Sequence, residues 1–155
     1  KGKTAALFSV SGKAGAIISG VSDIFIDALG TFGFEVGIAF QLIDDAMDYA
    51  ADERHSGKLS GTDLREGKLT YPLIVALSNA TASEKQLIHT ALISGHQKPA
   101  EFQEISTIIK KYNGIDETIK LARVFAETAK AHLSIYKPSI EHDSLLALAD
   151  YAVTM

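Results

Sequence analysis

The sequence predicts an all-α fold. Apolar residues recur at spacings of three and four over most of the 155 residues, which is the pattern of one helix face. No stretch keeps the alternation of apolar and polar residues that a half-buried strand requires. Breaks are rare, because the chain has only three prolines. We therefore expect a bundle of helices without a β-sheet.

Start and stop signals divide the chain into separate predicted helices. Ser83 precedes a regular helical pattern, Pro99 lies just before another, and Gly114 separates two patterns as a stop residue does. The predicted helices cover residues 4–11, 13–19, 22–29, 31–51, 70–78, 83–93, 100–112, 115–136 and 142–153.

Glycine is concentrated in the first part of the chain. Ten of the twelve glycines lie in the first 67 residues, and glycine permits close backbone approach and unusual backbone angles. We therefore expect the chemistry in an active-site part, residues 1–72, and a helical scaffold in residues 73–155.

The composition argues against several classes of function. The net charge of −4 provides no basic surface for nucleic acid, and the chain has no lysine-rich stripe for a membrane surface. No run approaches the roughly 18 apolar residues of a membrane-spanning helix, and the N-terminus lacks the ordered regions of a signal peptide. Without cysteine, disulfides and sulfur-ligated metals are excluded. We expect a cytoplasmic protein that has neither a nucleic-acid partner nor a stable membrane span.

A polar stripe runs along the most apolar predicted helix, residues 31–51. The last member of the stripe lies one residue after the end of this helix. At about 100° of rotation per residue, its members fall within an arc of roughly 100°. They are Gln41, Asp44, Asp45, Asp48 and Asp52. The helix is otherwise apolar on nearly every side, which is typical of a buried helix. The stripe is therefore expected to face an internal cavity.

Several carboxylates on one buried stripe repel each other. Like charges at i,i+4 destabilise an exposed helix by a few tenths of a kcal/mol, and burial raises the cost. A cation relieves this repulsion, and oxygen ligands without nearby His or Cys favour a hard ion such as Mg²⁺. The alternative, a solvated acidic helix face, fits the apolar surroundings less well.

A glycine-rich segment with basic residues follows the carboxylates. Residues 57–68 interleave three glycines with Lys58, Arg65 and Lys68. Lysine suits phosphate as a compact point charge, and arginine as a bidentate donor. Taken alone, such a segment is usually a solvated connection. Beside a metal-binding stripe it predicts a diphosphate site, with a loop over residues 53–68 that closes when ligand binds.

These motifs together resemble the trans-polyprenyl diphosphate synthases. Residues 40–48 (Phe-Gln-Leu-Ile-Asp-Asp-Ala-Met-Asp) are similar to the second aspartate-rich motif of that family, and residues 57–73 to the loop after it. The run Asp-Leu-Arg-Glu-Gly-Lys at residues 63–68 looks more like the long-chain members, such as octaprenyl and solanesyl synthases. Lys3-Thr4 resembles the family's Lys-Thr motif. Leu59 and Tyr71 depart mildly, because many members have proline and leucine there.

The resemblance implies a helical bundle of the isoprenoid-synthase type and a Mg²⁺-dependent prenyltransferase. Such an enzyme condenses isopentenyl diphosphate with an allylic prenyl diphosphate, giving a long-chain polyprenyl diphosphate that serves as a quinone side-chain precursor. Asp44 and Asp48 would bind Mg²⁺, with Asp45 supporting them from the flank. Thr4 and Gln41 would also face the developing carbocation. The side chains implied for diphosphate binding are Lys3, Thr4, Gln41, Lys58 and Lys68.

The family's first aspartate-rich motif and its isopentenyl diphosphate site are expected upstream of Lys3 and are absent from this sequence. The chain therefore looks like the C-terminal half of a synthase, expected to be inactive alone. Its expected partners are the missing N-terminal half and a second copy in a homodimer.

Two alternative functions remain open. One alternative to the prenyltransferase is a non-catalytic helical subunit of a heteromeric synthase. The other is part of a terpene cyclase with the same architecture. The complete aspartate motif argues against both. The aromatic residues Phe32, Phe34 and Phe40 are candidates for lining a prenyl channel, although packing in the core is the favoured interpretation.

Overall fold

The structure is a computed structural model that describes residues 2–50, 61–94 and 99–154. Its residues fold into helices joined by short connections, with a 3₁₀ turn at Leu133–Ile135. The helices are α1 Gly2–Ile18, α2 Asp23–Ala50, α3 Thr62–Arg65, α4 Tyr71–Asn79, α5 Ala82–Ser94, α6 Pro99–Lys111, α7 Gly114–His132 and α8 Ile140–Tyr151. Over these described ranges no strand is present, so the predicted all-α class is confirmed.

The chain divides into two compact units. The first comprises Lys1–Ile43 and Lys120–Met155, and the second comprises Asp44–Ile119. The core of the first unit is formed by Phe32, Val36, Ala129, Leu133, Ala149 and Ala152. The core of the second is formed by Tyr49, Leu64, Leu73, Ala76, Ile88, Ala91, Ile105, Ile108 and Ile109. The predicted division at residue 72 is one of function rather than of packing, and it stays a prediction.

Helices α1 and α2 are longer than predicted. The sequence predicts breaks near Gly12 and Gly30, yet both glycines lie inside continuous helices, so that prediction is wrong. A Cβ atom built on Gly12 would lie 2.4 Å from the Leu29 carbonyl oxygen. Gly12 therefore allows two helices to approach rather than ending one of them.

The approach of α1 to α2 depends on a glycine seam, which consists of Gly12, Gly33 and Gly37. A Cβ on Gly33 would lie 2.4 Å from the Phe8 carbonyl oxygen, and one on Gly37 would lie 2.6 Å from Ala5 Cα. Real Cβ atoms do not come this close to backbone atoms. The two helix backbones therefore pack directly against each other along the seam.

The seam predicts opposite effects for two glycine-to-alanine substitutions. Gly33→Ala forces the backbones of α1 and α2 apart, and we expect this overpacking to lower the free energy of unfolding by about 1–3 kcal/mol. Gly15→Ala, on the same helix pair, meets no atom within 4 Å, so it should raise the free energy of unfolding by about 0.5–1 kcal/mol through helix propensity. Urea unfolding measures both, and equal effects would argue against a tight seam.

Three large apolar side chains of α1 lie away from the seam. Leu7, Val10 and Ile17 are 66%, 62% and 60% exposed, and their spacing places them along one side of the helix. We call these three residues the outer stripe. The first unit thus buries Ala5 and Ala16 of α1 and packs Phe8 against its core, while the outer stripe is left exposed.

Helix α2 is not buried on all sides, contrary to the expectation from its composition. Ala39 and Ala46 are fully buried, whereas Phe34 and Phe40 are 45% and 47% exposed. Phe32 lies in the core of the first unit, as the favoured interpretation of that residue requires. An apolar composition therefore does not show which sides of a helix are covered.

Helix α2 also has the length and composition of a helix that crosses a membrane. Core helices of water-soluble proteins pass the same test, and 44% of its most apolar stretch is buried. The expected absence of a membrane span therefore stays a prediction.

In the second unit, Glu84 joins the start of α5 to the end of α6. Its Oε2 accepts hydrogen bonds from the Thr81 backbone N–H and the Tyr112 hydroxyl, both at 2.8 Å. Its Oε1 lies 2.8 Å from Lys111 Nζ. Thr81 and Glu84 form a capping box at the first turn of α5. The bond from Lys111, followed by those from Thr81 and Tyr112, lowers the pKa of Glu84 to about 2.

Candidate active site

Two predicted site residues, 37 positions apart in sequence, meet across α1 and α2. The Thr4 hydroxyl donates to Gln41 Oε1 at 3.4 Å, and both side chains are half-buried. The close contact between Ala5 and Gly37 lies beside this pair and holds the two helices together there. Lys3 is the neighbouring residue in the first turn of α1, and it is exposed. The first unit thus presents Lys3, Thr4 and Gln41 along one end of the helix pair.

The three motif carboxylates occupy the last two turns of α2 but differ in burial. Asp44 is exposed and Asp48 is half-buried, and their i,i+4 spacing places them on the same side of the helix. Asp45 is only 2% exposed. Anionic side chains are disfavoured near a helix C-terminus because the helix dipole is negative there. A cation beside Asp44 and Asp48 would offset this repulsion.

Asp48 holds the start of α3 against α2. Its Oδ1 accepts a hydrogen bond from the Thr62 N–H at 3.1 Å, and its Oδ2 accepts one from the Asp63 N–H at 3.0 Å. Its carbonyl oxygen accepts a third from the Gly61 N–H at 3.0 Å. The first N–H groups of a helix have no partner within the helix. Asp48 therefore caps α3 from a position thirteen residues before Gly61.

Gly61 allows Asp48 to cap α3 because of its backbone conformation and its lack of a side chain. Its φ of 76° lies in the left-handed region, which residues with a side chain rarely adopt. A Cβ there would also lie 2.2 Å from the Phe102 ring, which stacks on Tyr49 with ring centroids 6.2 Å apart. A residue other than glycine at this position would therefore displace the start of α3.

Burial has the largest effect on the pKa of Asp48. Desolvation raises the pKa of the Asp48 carboxyl, and the N–H donors of Asp63 and Thr62 oppose that rise. The Asp63 carboxylate raises the pKa further, while Arg65 lowers it. A positive charge bound at this end of α2 would favour the ionised form of Asp48.

Lys68 is held by carboxylates of its own segment. Its Nζ lies 2.9 Å from Asp63 Oδ1 and forms a second ion pair with Glu66. Its backbone N–H donates to the Asp63 carbonyl oxygen at 2.9 Å. The hydrogen bond to Glu66, followed by the one to Asp63, raises the pKa of Lys68 above its usual value. Lys68 therefore stays charged and is fixed near the start of α3.

A second contact ties the far end of the segment to α2. The Thr70 hydroxyl donates to the Tyr49 hydroxyl oxygen at 3.2 Å, and both side chains are buried. Asp48 and Tyr49, adjacent in sequence, thus hold residues 61–70 at both ends. In this part of the predicted closing loop the backbone is already anchored, whereas residues 53–60 lie outside the described residues.

We expect the amides that open α3 to depend on Asp48. Asp48→Ala should speed hydrogen exchange at Thr62 and Asp63 at least about tenfold, because a hydrogen bond to a charged acceptor contributes about 1.5–3 kcal/mol. Asp48→Asn, which keeps one acceptor oxygen, is the matched control and should give an intermediate rate. Unchanged exchange in Asp48→Ala would show that α3 is held by other contacts.

The fit of the site to a divalent metal rests on Asp44 and Asp48. Across the described part of the chain, no group of three His, Cys, Asp or Glu side chains is arranged around one point. Mg²⁺ needs fewer, because it usually takes one or two carboxylates and completes its shell with water and phosphate oxygens. The two carboxylates fit that requirement. Lys58 and Asp52, also predicted for this site, lie outside the described residues.

Sequence reasoning gave no role to Asp63, Tyr49 or Thr70. Asp63 lies inside the motif at residues 63–68, in the first turn of α3, where an acidic residue suits the helix dipole. Its contact to Asp48 depends on the path of the chain between residues 48 and 61. A sequence pattern does not reveal that path.

Comparison with known proteins gives a consistent result. Residues 1–109 match the family model described as Polyprenyl synthetase. Over 151 residues the chain is 36% identical to the octaprenyl diphosphate synthase of Haemophilus influenzae, covering 97% of this chain and 46% of that protein. Over 153 residues it is also 36% identical to the geranylgeranyl diphosphate synthase of Sulfolobus acidocaldarius, with coverage of 97% and 46%.

The fold is similar to that of a solved structure. The polyprenyl synthase from Caulobacter crescentus, complexed with calcium and isoprenyl diphosphate, matches with a TM-score of 0.90 and 37% identity. The match covers 99% of this chain and 47% of that one, and it confirms the predicted helical bundle of the isoprenoid-synthase type. This chain spans about half the length of the relatives that it matches.

Proposed function

Because this chain belongs to the polyprenyl synthetase family, we propose that it is the C-terminal half of a trans-polyprenyl diphosphate synthase. The full-length synthase transfers an allylic prenyl group to isopentenyl diphosphate. It combines this chain with an upstream half, works as a homodimer and is located in the cytoplasm.

The observation that carries this proposal is the contact between the carboxylate helix and the basic segment. Asp48, on the helix that bears Asp44, caps α3, and α3 leads directly to Lys68. A diphosphate is an anion that needs both a metal held by carboxylates and cationic side chains. The second unit supplies both kinds of group on one continuous framework.

The reaction begins with cleavage of the allylic C–O bond, in which diphosphate leaves with the electron pair. The double bond of isopentenyl diphosphate then attacks the allylic carbocation, a new C–C bond forms, and a proton is lost. Stabilising the charge that develops on the leaving group is the main catalytic need. When bound, Mg²⁺ supplies Lewis-acid stabilisation of that group.

Each proposed site residue has a distinct part in this reaction. Asp44 would ligate the metal directly, and Asp48 would support the metal directly or through water while capping α3. The hydroxyl of Thr4 and the amide oxygen of Gln41, paired in the first unit, direct oxygen dipoles toward the carbocation. The cationic residues that bind diphosphate are Lys3, Lys58 and Lys68.

The product is proposed to be a long-chain polyprenyl diphosphate, the precursor of a quinone side chain. The support is the run Asp-Leu-Arg-Glu-Gly-Lys at residues 63–68, which looks more like the long-chain members. The octaprenyl and geranylgeranyl relatives are equally similar overall, each at 36% identity. Product length is therefore a matter for direct measurement.

The assay uses the full-length synthase with isopentenyl diphosphate, an allylic diphosphate and Mg²⁺. We expect chain elongation, with long products resolved by chromatography after dephosphorylation. Chelation with EDTA should abolish turnover, because the leaving diphosphate then lacks its Lewis acid, and added Mg²⁺ should restore it. Undiminished elongation after chelation would contradict the role of the metal, and no elongation under any condition would contradict the proposed reaction.

A further inference from the structure

We infer that Asp63 is a positioning residue that fixes the Lys68 ammonium group relative to the carboxylate end of α2. This inference rests on the proposed function, because it assigns Lys68 to the leaving diphosphate. Asp63 itself need not touch substrate. Its role is to hold a charged group where negative charge develops.

Asp63 connects the Asp48 carboxylate to Lys68 through hydrogen bonds. Its backbone N–H donates to Asp48 Oδ2 at 3.0 Å, and its carboxylate Oδ1 accepts from Lys68 Nζ at 2.9 Å. Its carbonyl oxygen accepts from the Lys68 backbone N–H at 2.9 Å. Three hydrogen bonds of one residue thus link Asp48 to both the main chain and the side chain of Lys68.

The two acidic partners of Lys68 differ in exposure. The Asp63 side chain is 15% exposed, whereas that of Glu66 is 54% exposed. An exposed ion pair is screened by water and contributes little, while a shielded one with a hydrogen bond is more persistent. Glu66 is therefore the partner that an incoming diphosphate displaces, and Asp63 is the partner that remains.

A fixed ammonium group affects the rate more than binding. The lysine side chain is long and flexible, and a catalytic charge is most effective when it is already in place as the transition state forms. Without Asp63, Lys68 keeps its charge and still attracts diphosphate, but its position is no longer set. The loss should therefore appear in kcat rather than in KM.

A double-mutant cycle in the full-length synthase tests this coupling. Asp63→Asn keeps the size of the side chain and the backbone N–H to Asp48, and Lys68→Met removes the charge. We expect each to lower kcat by about tenfold or more. KM for the allylic diphosphate should change less than about threefold in Asp63→Asn, where Lys68 keeps its charge, and should rise in Lys68→Met, which removes that charge. The double variant should be no slower than the slower single variant, because residues that act as a unit are not additive.

Glu66→Gln is the matched control, because it removes the other carboxylate that contacts Lys68. We expect its kcat to stay within about threefold of the parent value, as is usual for an exposed ion pair. Hydrogen exchange at Thr62 should be the same in Asp63→Asn and in the parent, since the backbone bonds to Asp48 are retained. Faster exchange there would mean that Asp63→Asn disturbs α3 itself, and would overturn the positioning role.

Two kinetic results would also overturn it. One is strict additivity of Asp63→Asn and Lys68→Met, and the other is an equal loss in Glu66→Gln. Either result with an active parent enzyme leaves the proposed function intact and removes only the role of Asp63. A parent enzyme that makes no prenyl chains removes the proposed function and this inference together.

Discussion

Asp44→Asn in the full-length synthase is expected to lower kcat on the order of 100-fold or more, the scale of losing one electrostatic contact to developing charge. Asp44 is the exposed carboxylate of the motif, placed one helical turn before Asp48. Asparagine keeps its shape but removes the negative charge that binds a hard cation. Steady-state kinetics with a fixed Mg²⁺ concentration measures the loss.

The matched control for this substitution is Asp27→Asn. Asp27 lies on the same helix as Asp44, and its side chain is 75% exposed and 3.5 Å from Lys13. Both substitutions therefore remove one negative charge from α2. The kcat of the Asp27→Asn enzyme should remain within about threefold of the parent value, because exposed ion pairs contribute little. Equal activity of Asp44→Asn and the parent would refute the assignment of Asp44 as a metal ligand.

Residues 1–155 expressed alone are expected to make no detectable prenyl chains and to self-associate. The relatives are about twice as long, so the proposed active site is expected to need groups from the upstream half as well. The outer stripe and Phe40 also leave apolar surface uncovered, and large exposed apolar patches drive association.

The test incubates residues 1–155 with both diphosphate substrates and Mg²⁺, with and without the separately expressed upstream half. We expect elongation only in the mixture, and light scattering should show a mass above that of a monomer for residues 1–155 alone. Chain elongation by residues 1–155 without the upstream half would refute the half-enzyme proposal. Activity that returns only in the mixture would support it.

The sequence was sufficient for the fold class, because helical periodicity depends on spacing alone. It was insufficient for helix length in the first unit, because Gly12 and Gly30 carry the same local signal whether they end a helix or permit contact. Which of these applies depends on what faces the glycine, such as the Leu29 carbonyl oxygen opposite Gly12. That information is tertiary.

The candidate site was predictable to a similar extent. The spacing of Asp44 and Asp48 places them on the same side of α2. The resemblance gave Thr4 and Gln41 roles near the carbocation; their side chains lie 3.4 Å apart, and the roles stay predictions. The capping of α3 by Asp48 was not predictable. It depends on where the chain returns after residue 60, and a carboxylate gives no sign in sequence of which backbone N–H groups it will meet.

The glycine seam also bears on how substitutions in this protein should be interpreted. Small residues usually tolerate change and bulky apolar ones do not, but the pair of helices α1 and α2 inverts that expectation. A single methyl group at Gly33 meets the main chain of Phe8, whereas Leu7 and Val10 are 66% and 62% exposed. Selection for stability of this half alone would preserve the glycines and let the leucine and valine drift. Selection on the proposed full-length synthase would preserve both the seam glycines and the outer stripe. Low sequence variation at Leu7 and Val10 among relatives would therefore indicate that the upstream half covers the outer stripe.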